Sequence, residues 1–279
     1  MTTLAQHYQE ALQALANQYD EREAKNVVHY WLDARAGISR TDLVIDAAKE
    51  VEWPWFERDL ARLAKLEPVQ YVVGKAYFID QLLEVNPSTL IPRPETEELV
   101  RGIVDYVPLE QAQVLDIGTG SGCIPLGVKS LRPNWSVRGI DIQEKAVETA
   151  RKNATSWNLD VRFDRVDVFD LESLQADVII SNPPYIPEYE RSTMERNVVG
   201  EEPDVALFVP DDSPLVFYET ILRKGTLGSK AGSTYFGFEI HEDFGGQMLE
   251  LGREYGLQDL QLKQDMQGKD RMIFGRYDG

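Results

Sequence analysis

Apolar positions fall into two regimes along the chain. Up to about residue 75 they recur at helical spacing. Leu4, Tyr8, Ala11, Leu12, Leu15 and Tyr19 form one stripe, Val27, Val28, Trp31 and Leu32 a second, and Trp55, Phe56, Leu60 and Leu63 another. Thr41 is expected to cap an intervening helix over residues 43–48. Such stripes suit the core of a small helical bundle. Residues 76–90 alternate instead. Tyr77-Phe78-Ile79, a polar turn at Asp80-Gln81 and then Leu82-Leu83-Glu84-Val85 predict a β-hairpin linking two parts of the chain. Ile91-Pro92-Arg93-Pro94 is stiff and extended, because a residue before proline avoids the helical region. Thr96 is expected to cap a helix through Val104, with Glu97 and Glu98 near its positive end.

Beyond this point short apolar runs alternate with helical segments, the pattern of an α/β sheet. Strands are expected at 114–117, 135–140, 161–163 and 178–181, with helices starting at Cys123 and running over 144–157. A helix at 217–222 and strands at 234–240, 259–263 and 272–274 follow. The first four strands end in chemistry. Gly118-Thr119-Gly120-Ser121-Gly122 follows the first, and its glycines allow positive φ and close approach of a ligand to the backbone. The spacing is G-x-G-x-G, not the G-x-G-x-x-G of dinucleotide folds. Asp141 ends the second strand about 20 residues on, where a carboxylate can grip ribose hydroxyls. Asp167-Val168 follows the third, and Asp167 could accept from an adenine amino group. Asn182-Pro183-Pro184-Tyr185 follows the fourth.

Two prolines stop that last strand and remove two backbone donors. The mouth then offers an amide carbonyl, main-chain carbonyls and an aromatic ring, which suits a planar NH2 group. Taken singly these features have ordinary readings. Asn-Pro and Pro-Pro punctuate loops, and lone strand-end acids are solvated or cap helices. The ordered set predicts a nucleoside cofactor across the strand ends, its reactive end beside Asn182.

Composition narrows this. The net charge of −18 runs against a nucleic-acid-binding surface, which would be basic. The acids cluster at 187–212, with Glu188, Glu190, Glu195, Glu201, Glu202, Asp204, Asp211 and Asp212 against Arg191 and Arg196. That run either attracts a basic protein surface or is a solvated loop. One cysteine, Cys123, excludes an internal disulfide framework, and its position favours small-residue packing over a reactive thiol. His7, His29 and His241 are scattered without metal-ligand spacing, so no metal is expected. The first residues are polar and amphipathic, and no apolar run nears the roughly 20 residues that span a bilayer. A cytoplasmic protein without membrane association is expected.

With these residues in place, the chain resembles the class I S-adenosylmethionine-dependent methyltransferases, and among them those with an Asn-Pro-Pro-Tyr motif. Leu90-Ile91-Pro92-Arg93-Pro94-Glu95-Thr96-Glu97-Glu98-Leu99-Val100 is similar to the I-P-R-P-E-T-E-x-L-V signature of the PrmC/HemK family, the peptide chain release factor glutamine methyltransferases. Pro68-Val69-Gln70-Tyr71-Val72-Val73-Gly74, Tyr77-Phe78, Glu201-Glu202-Pro203 with Ala206-Leu207, Phe238-Glu239-Ile240 and Asp270-Arg271 fit the same family. The resemblance covers nearly the whole chain, most strongly over 68–207.

It implies a Rossmann-like mixed seven-stranded sheet at 91–279, a terminal antiparallel hairpin completing that sheet, and a helical substrate-recognition domain at 1–75. It implies S-adenosyl-L-methionine as cofactor and, as substrate, the glutamine in the Gly-Gly-Gln loop of class I release factors, with no direct DNA binding. By position, Gly118, Thr119, Gly120, Ser121 and Gly122 would line the methionine part. Asp141 would bind the ribose, Asp167 and Val168 would flank the adenine, and Asn182, Pro183, Pro184 and Tyr185 would receive the amide. Asn182, Pro183 and Tyr185 would carry the chemistry, with Asn182 also facing the cofactor. Val168 stands where the family often has an aromatic residue. The rivals are a nucleic-acid amino-methyltransferase using the same mouth and a binding protein that has lost the chemistry.

Overall fold

The computed structural model describes residues 2–194, 198–229 and 232–279. Glu195 and Arg196 of the acidic run lie outside them. The described residues divide into two compact units, 2–75 with 198–201 and 76–194 with 202–229 and 232–279.

In the first unit β1 (Thr2–Thr3) pairs antiparallel with β2 (Glu50–Val51) around α1 (Leu4–Leu15), α2 (Glu21–Ala36) and α3 (Asp42–Ile45). α4 (Phe56–Leu63) and α5 (Val69–Val73) follow. The helical stripes form its core, with Ala11, Leu15, Val28, Trp31, Leu32, Phe56 and Leu63 buried. The third helix is one turn, shorter than its sequence predicts. Thr41 makes no side-chain cap; Ser39 and Asp42 bond each other instead. Buried Asp59 collects Arg35 at 2.7 Å and Arg58 at 2.9 Å, so a charge in this core is paired from two sides.

The second unit begins with the hairpin of β3 (Lys75–Phe78) and β4 (Gln81–Glu84). Its turn is Ile79-Asp80, one residue earlier than the polar pattern predicts. Both have positive φ, 46° and 62°, as a tight two-residue hairpin turn requires. The hairpin is built into the larger unit. Phe78, Ile79 and Leu83 enter its core, and Asn153 bonds both the N–H and the carbonyl of Glu84.

α6 (Pro94–Tyr106) starts at proline, whose missing N–H is no loss in a first turn and whose φ already suits a helix. Thr96 therefore lies inside the helix and does not cap it. β5 (Gln113–Ile117), α7 (Cys123–Leu131), β6 (Ser136–Asp141), α8 (Glu144–Trp157), β7 (Val161–Arg165) and β8 (Val178–Ser181) come next. β9 (Ile186–Pro187) pairs parallel with β10 (Phe208–Val209), with α9 (Asp204–Leu207) between. α10 (Val216–Gly228), β11 (Ser233–Glu239), α11 (Gly245–Glu254), β12 (Gln258–Gln264) and β13 (Asp270–Asp278) complete the unit.

The main sheet has seven strands in the order β12-β13-β11-β8-β5-β6-β7. Six of them point the same way; β13 is reversed, antiparallel to both β11 and β12. Successive residues feed opposite faces, as the pleat demands. Val114, Val178 and Ile180 pack with α6, α7 and α8. Leu115, Ile117 and Ile179 pack with Tyr218, Ile221 and Met248 of α10 and α11. The strand order reverses between β5 and β8, and open α/β sheets bind ligands at such a switch point. Among the described residues no helix is long and apolar enough to cross a membrane.

Candidate active site

A cavity of about 320 Å³ lies over the carboxyl ends of β5, β6, β7 and β8. Its first wall is the glycine loop. Gly118, Gly120 and Gly122 have φ of 75°, 54° and 83°, a path closed to most side chains. Gly118 and Thr119 donate to Ile140 O at 2.9 and 3.0 Å, which fixes the loop to β6. Asn153 donates to Ser121 O at 2.9 Å from α8. Gly139 permits the close approach underneath: a Cβ there would stand 2.4 Å from Thr119 Oγ1.

Asp141 closes one side of this loop. Oδ2 accepts from Gly120 N at 2.9 Å and Oδ1 from Gln143 N at 2.8 Å. Burial nevertheless pushes this carboxyl above its ordinary value, against those bonds. Below the loop Asp116 is fully buried on β5. Burial, with the Asp141 charge adding to it, pushes it up to about 7. Both Asp116 carboxyl oxygens, Thr119 Oγ1 and Ser121 Oγ have no hydrogen-bond partner among the described residues. A cluster of orphaned polar atoms beside an open backbone loop is the environment a polar ligand completes. Desolvation pushes the Cys123 thiol, at the cavity wall, up to about 12, so it is no nucleophile at neutral pH.

The second wall follows β7. Asp167 and Val168 line the cavity, and Asp167 also caps the short 3₁₀ turn Val168–Asp170 by accepting from Phe169 N at 2.8 Å. Phe169 and Phe217 meet edge to face, 5.2 Å between centroids, and give this wall the rings that Val168 lacks. Buried Lys224 holds the turn from behind, donating to Phe169 O at 2.7 Å and to Leu171 O. Nothing in its spacing along the sequence marks Lys224 for this.

The third wall is the mouth after β8. Asn182, Pro183 and Pro184 line the cavity, together with Pro92, Thr96 and Pro203. Ser181 donates to Ile117 O at 2.6 Å and locks β8 to β5 at this end. Asn182 Nδ2 donates to Thr96 Oγ1 at 3.2 Å. Glu202, 4 % exposed, accepts from Ile91 N at 3.1 Å and pairs with Arg93, so the 91–93 segment is tied to the chain before Pro203. The Arg93 and Glu202 types were visible in the sequence; their pairing across 109 residues was not.

Two of the expected positions do not line the cavity. Gly122 caps α7 and packs against Ala150 and Phe163, where a Cβ would come within 3.0 Å of Ala150 Cβ. Tyr185 turns its hydroxyl to Glu239 Oε1 at 3.1 Å, because a sheltered phenol takes a polar partner. Its ring lies edge-on to His241 at 6.1 Å. Burial and the Glu239 charge raise the Tyr185 hydroxyl well above its ordinary range.

The acidic run is partly neutralised within itself. Arg191 bonds Glu188 and Asp204, each at 3.0 Å, over the face of Phe208; Glu190 meets His241 at 3.2 Å; Glu202 is buried.

A family model described as the PrmC N-terminal domain matches residues 6–74, and one described as the methyltransferase small domain matches 97–200. A release factor glutamine methyltransferase of Flavobacterium psychrophilum is 38 % identical over 275 residues, 94 % of this chain and 95 % of the relative. One of Streptococcus pneumoniae is 37 % identical over 97 % of both chains. Among solved structures the hMettl16 catalytic domain, in complex with a MAT2A 3'UTR hairpin, superimposes with a TM-score of 0.57 at 16 % identity, over 70 % of this chain and 74 % of that one. A methyltransferase from Pyrococcus furiosus does so at 0.54 and 18 %, over 80 % and 99 %. These two likenesses concern the fold alone.

Proposed function

The chain belongs to the release factor glutamine methyltransferase family, and we propose that it transfers a methyl group from S-adenosyl-L-methionine to the side-chain amide nitrogen of a glutamine in the Gly-Gly-Gln loop of a class I release factor. The observation that carries this reading is Asn182, whose amide nitrogen is spent on Thr96 and whose carbonyl remains for a ligand at the cavity mouth.

The residues of the cavity fit the cofactor. The orphaned hydroxyls of Thr119 and Ser121 and the open face of Gly120 suit its polar methionine part. Asp141 is at the distance along the chain, and the place in the sheet, of a ribose-binding acid. Val168, Phe169 and Phe217 suit the faces of a purine, with Asp167 at its edge. Bound there, S-adenosyl-L-methionine supplies a methyl group already activated by a sulfonium centre.

The remaining work falls to the protein. An amide nitrogen is a weak nucleophile because its lone pair is shared with the carbonyl. Asn182 Oδ1 and the Pro183 carbonyl are acceptors for the two hydrogens of the NH2 group, and they favour the positive charge that develops on nitrogen. Pro183 and Pro184 hold these acceptors rigidly, and such positioning can supply several kcal/mol of the barrier. Tyr185 acts from behind the mouth, through Glu239. The methylated nitrogen must then shed one proton, which would pass to water after the transfer, while the cofactor would leave as its neutral thioether. The helical unit at 1–75 is the part we assign to substrate recognition, and the cytoplasm, where translation ends, is the matching location.

The test is transfer of label. The purified protein is incubated with radiolabelled S-adenosyl-L-methionine and, separately, a class I release factor, duplex DNA and ribosomal RNA. Label on the glutamine of the release factor alone is expected. Label on a nucleic acid instead would make the chain a base methyltransferase.

A further inference from the structure

Three elements meet behind Asn182. Glu239 ends β11 and is 1 % exposed; Thr96 lies in the first turn of α6 and is 2 % exposed; Asn182 follows β8. Thr96 Oγ1 donates to Glu239 Oε2 at 2.7 Å, and Tyr185 donates to Oε1 at 3.1 Å. Asn182 Nδ2 lies 3.2 Å from the same Thr96 oxygen. A hydroxyl has one hydrogen. Thr96 spends it on the carboxylate, so toward Asn182 it can only accept. The Asn182 amide must therefore turn its NH2 to Thr96 and its carbonyl to the cavity.

We infer that Glu239, acting through Thr96, is a positioning residue that decides which end of the Asn182 amide the substrate meets. The inference rests on the reading that Asn182 receives the substrate amide. It also sets a selectivity: a mouth held carbonyl-outward accepts a group that donates two hydrogens and disfavours one that only accepts. Without the carboxylate, Thr96 is free to donate to Asn182 Oδ1, and the amide can turn over and present its own NH2 to the substrate. Two donors then face each other, and the transition-state bond is lost.

Four single variants and one double test this with full-length protein and an intact release factor: Thr96→Val, Thr96→Ser, Glu239→Leu, Asn182→Ala, and Thr96→Val combined with Glu239→Leu. The readouts are kcat and KM for the release factor, S-adenosyl-L-methionine affinity by calorimetry and the thermal midpoint. Thr96→Val is expected to lower kcat roughly 10- to 100-fold, on the scale of a lost transition-state hydrogen bond, with KM and cofactor affinity within about 3-fold. Thr96→Ser keeps the hydroxyl and recovers most of that kcat. Glu239→Leu, which leaves Thr96 no acceptor at that position, lowers kcat comparably, and combining it with Thr96→Val costs no more than Thr96→Val alone, since both break one relay. Multiplying losses, an equally poor Thr96→Ser or a normal kcat in Thr96→Val would overturn the relay. Should Thr96→Val lack a folded transition, Glu239→Leu decides by the same kcat and KM criterion. Asn182→Ala separates the two layers. If it is slow while Thr96→Val is normal, the relay alone fails; if it turns over normally, the mouth itself is misassigned and the relay falls with it.

Discussion

Asp141 serves two ends, and its replacement reads out both. Its carboxylate fixes Gly120 N and Gln143 N, and under the proposed function it also holds ribose hydroxyls. Asp141→Ala should cost roughly 2–3 kcal/mol of cofactor binding, the scale of charge-assisted bonds; an unchanged dissociation constant by calorimetry would reduce Asp141 to a loop brace. Asp116 makes a second prediction, about pH. Its folded value, about 7, stands above the ordinary 3.8, so the folded protein holds this proton more tightly than the unfolded chain does. The contribution is complete below about pH 4 and fades as pH rises through 7. In urea titrations of ligand-free protein, wild type should lose on the order of 1.4 kcal/mol per pH unit relative to Asp116→Asn between about pH 4 and 7. Parallel pH profiles would contradict this. Residue types at the site were legible because strand ends and glycines mark them. Lys224 and Glu239 carry no such mark, since each acts across more than 50 residues and only the folded sheet sets them behind the cavity walls.

At the scale of elements, the approach of β6 to the glycine loop has no slack. Gly139→Ala puts a methyl 2.4 Å from Thr119 Oγ1 and 2.9 Å from the Phe163 ring. Overpacking of this kind typically costs about 1–3 kcal/mol. Because Thr119 must move, cofactor affinity should fall together with the thermal midpoint, and a midpoint loss with normal affinity would show that the loop adapts. Strand and helix identities were readable wherever a helical stripe or an unbroken apolar run marked them, as over α8 and β8 respectively. Boundaries failed where one side chain was credited with a cap. Pro94 starts α6 two residues ahead of Thr96, and the Thr41 side chain makes no cap bond at the head of α3. α11 escaped notice because it opens on two glycines, a poor helix signal that packing of Met248 and Leu251 overrides.

Across the whole molecule the charge is strongly negative, and under the proposed function it meets a release factor surface expected to be basic. Association should slow as salt rises, since the Debye length falls from about 10 Å at 0.1 M to about 3 Å at 1 M. Replacing Glu188, Glu190 and Glu201 by Gln should slow encounter more than it speeds release, measured by stopped flow across a salt series. Equal association rates at low salt would leave the run a solvated loop. Glu202, in the same stretch of sequence, belongs to the buried pair with Arg93 and not to this surface. Charge sign was legible from composition; which acids are already matched by Arg191 and Arg93 was not. The sheet order has a consequence for how the chain is made. β13 lies between β11 and β12 yet follows both in sequence. While the chain is being synthesised, β11 pairs with β8 on one side and presents a bare edge on the other, beside Phe236 and Phe238. β12 has no other partner in the sheet and cannot cover that edge. Closure waits for residues 270–278, so a nascent chain halted before them carries an open, adhesive strand that chaperones or proteases would meet first.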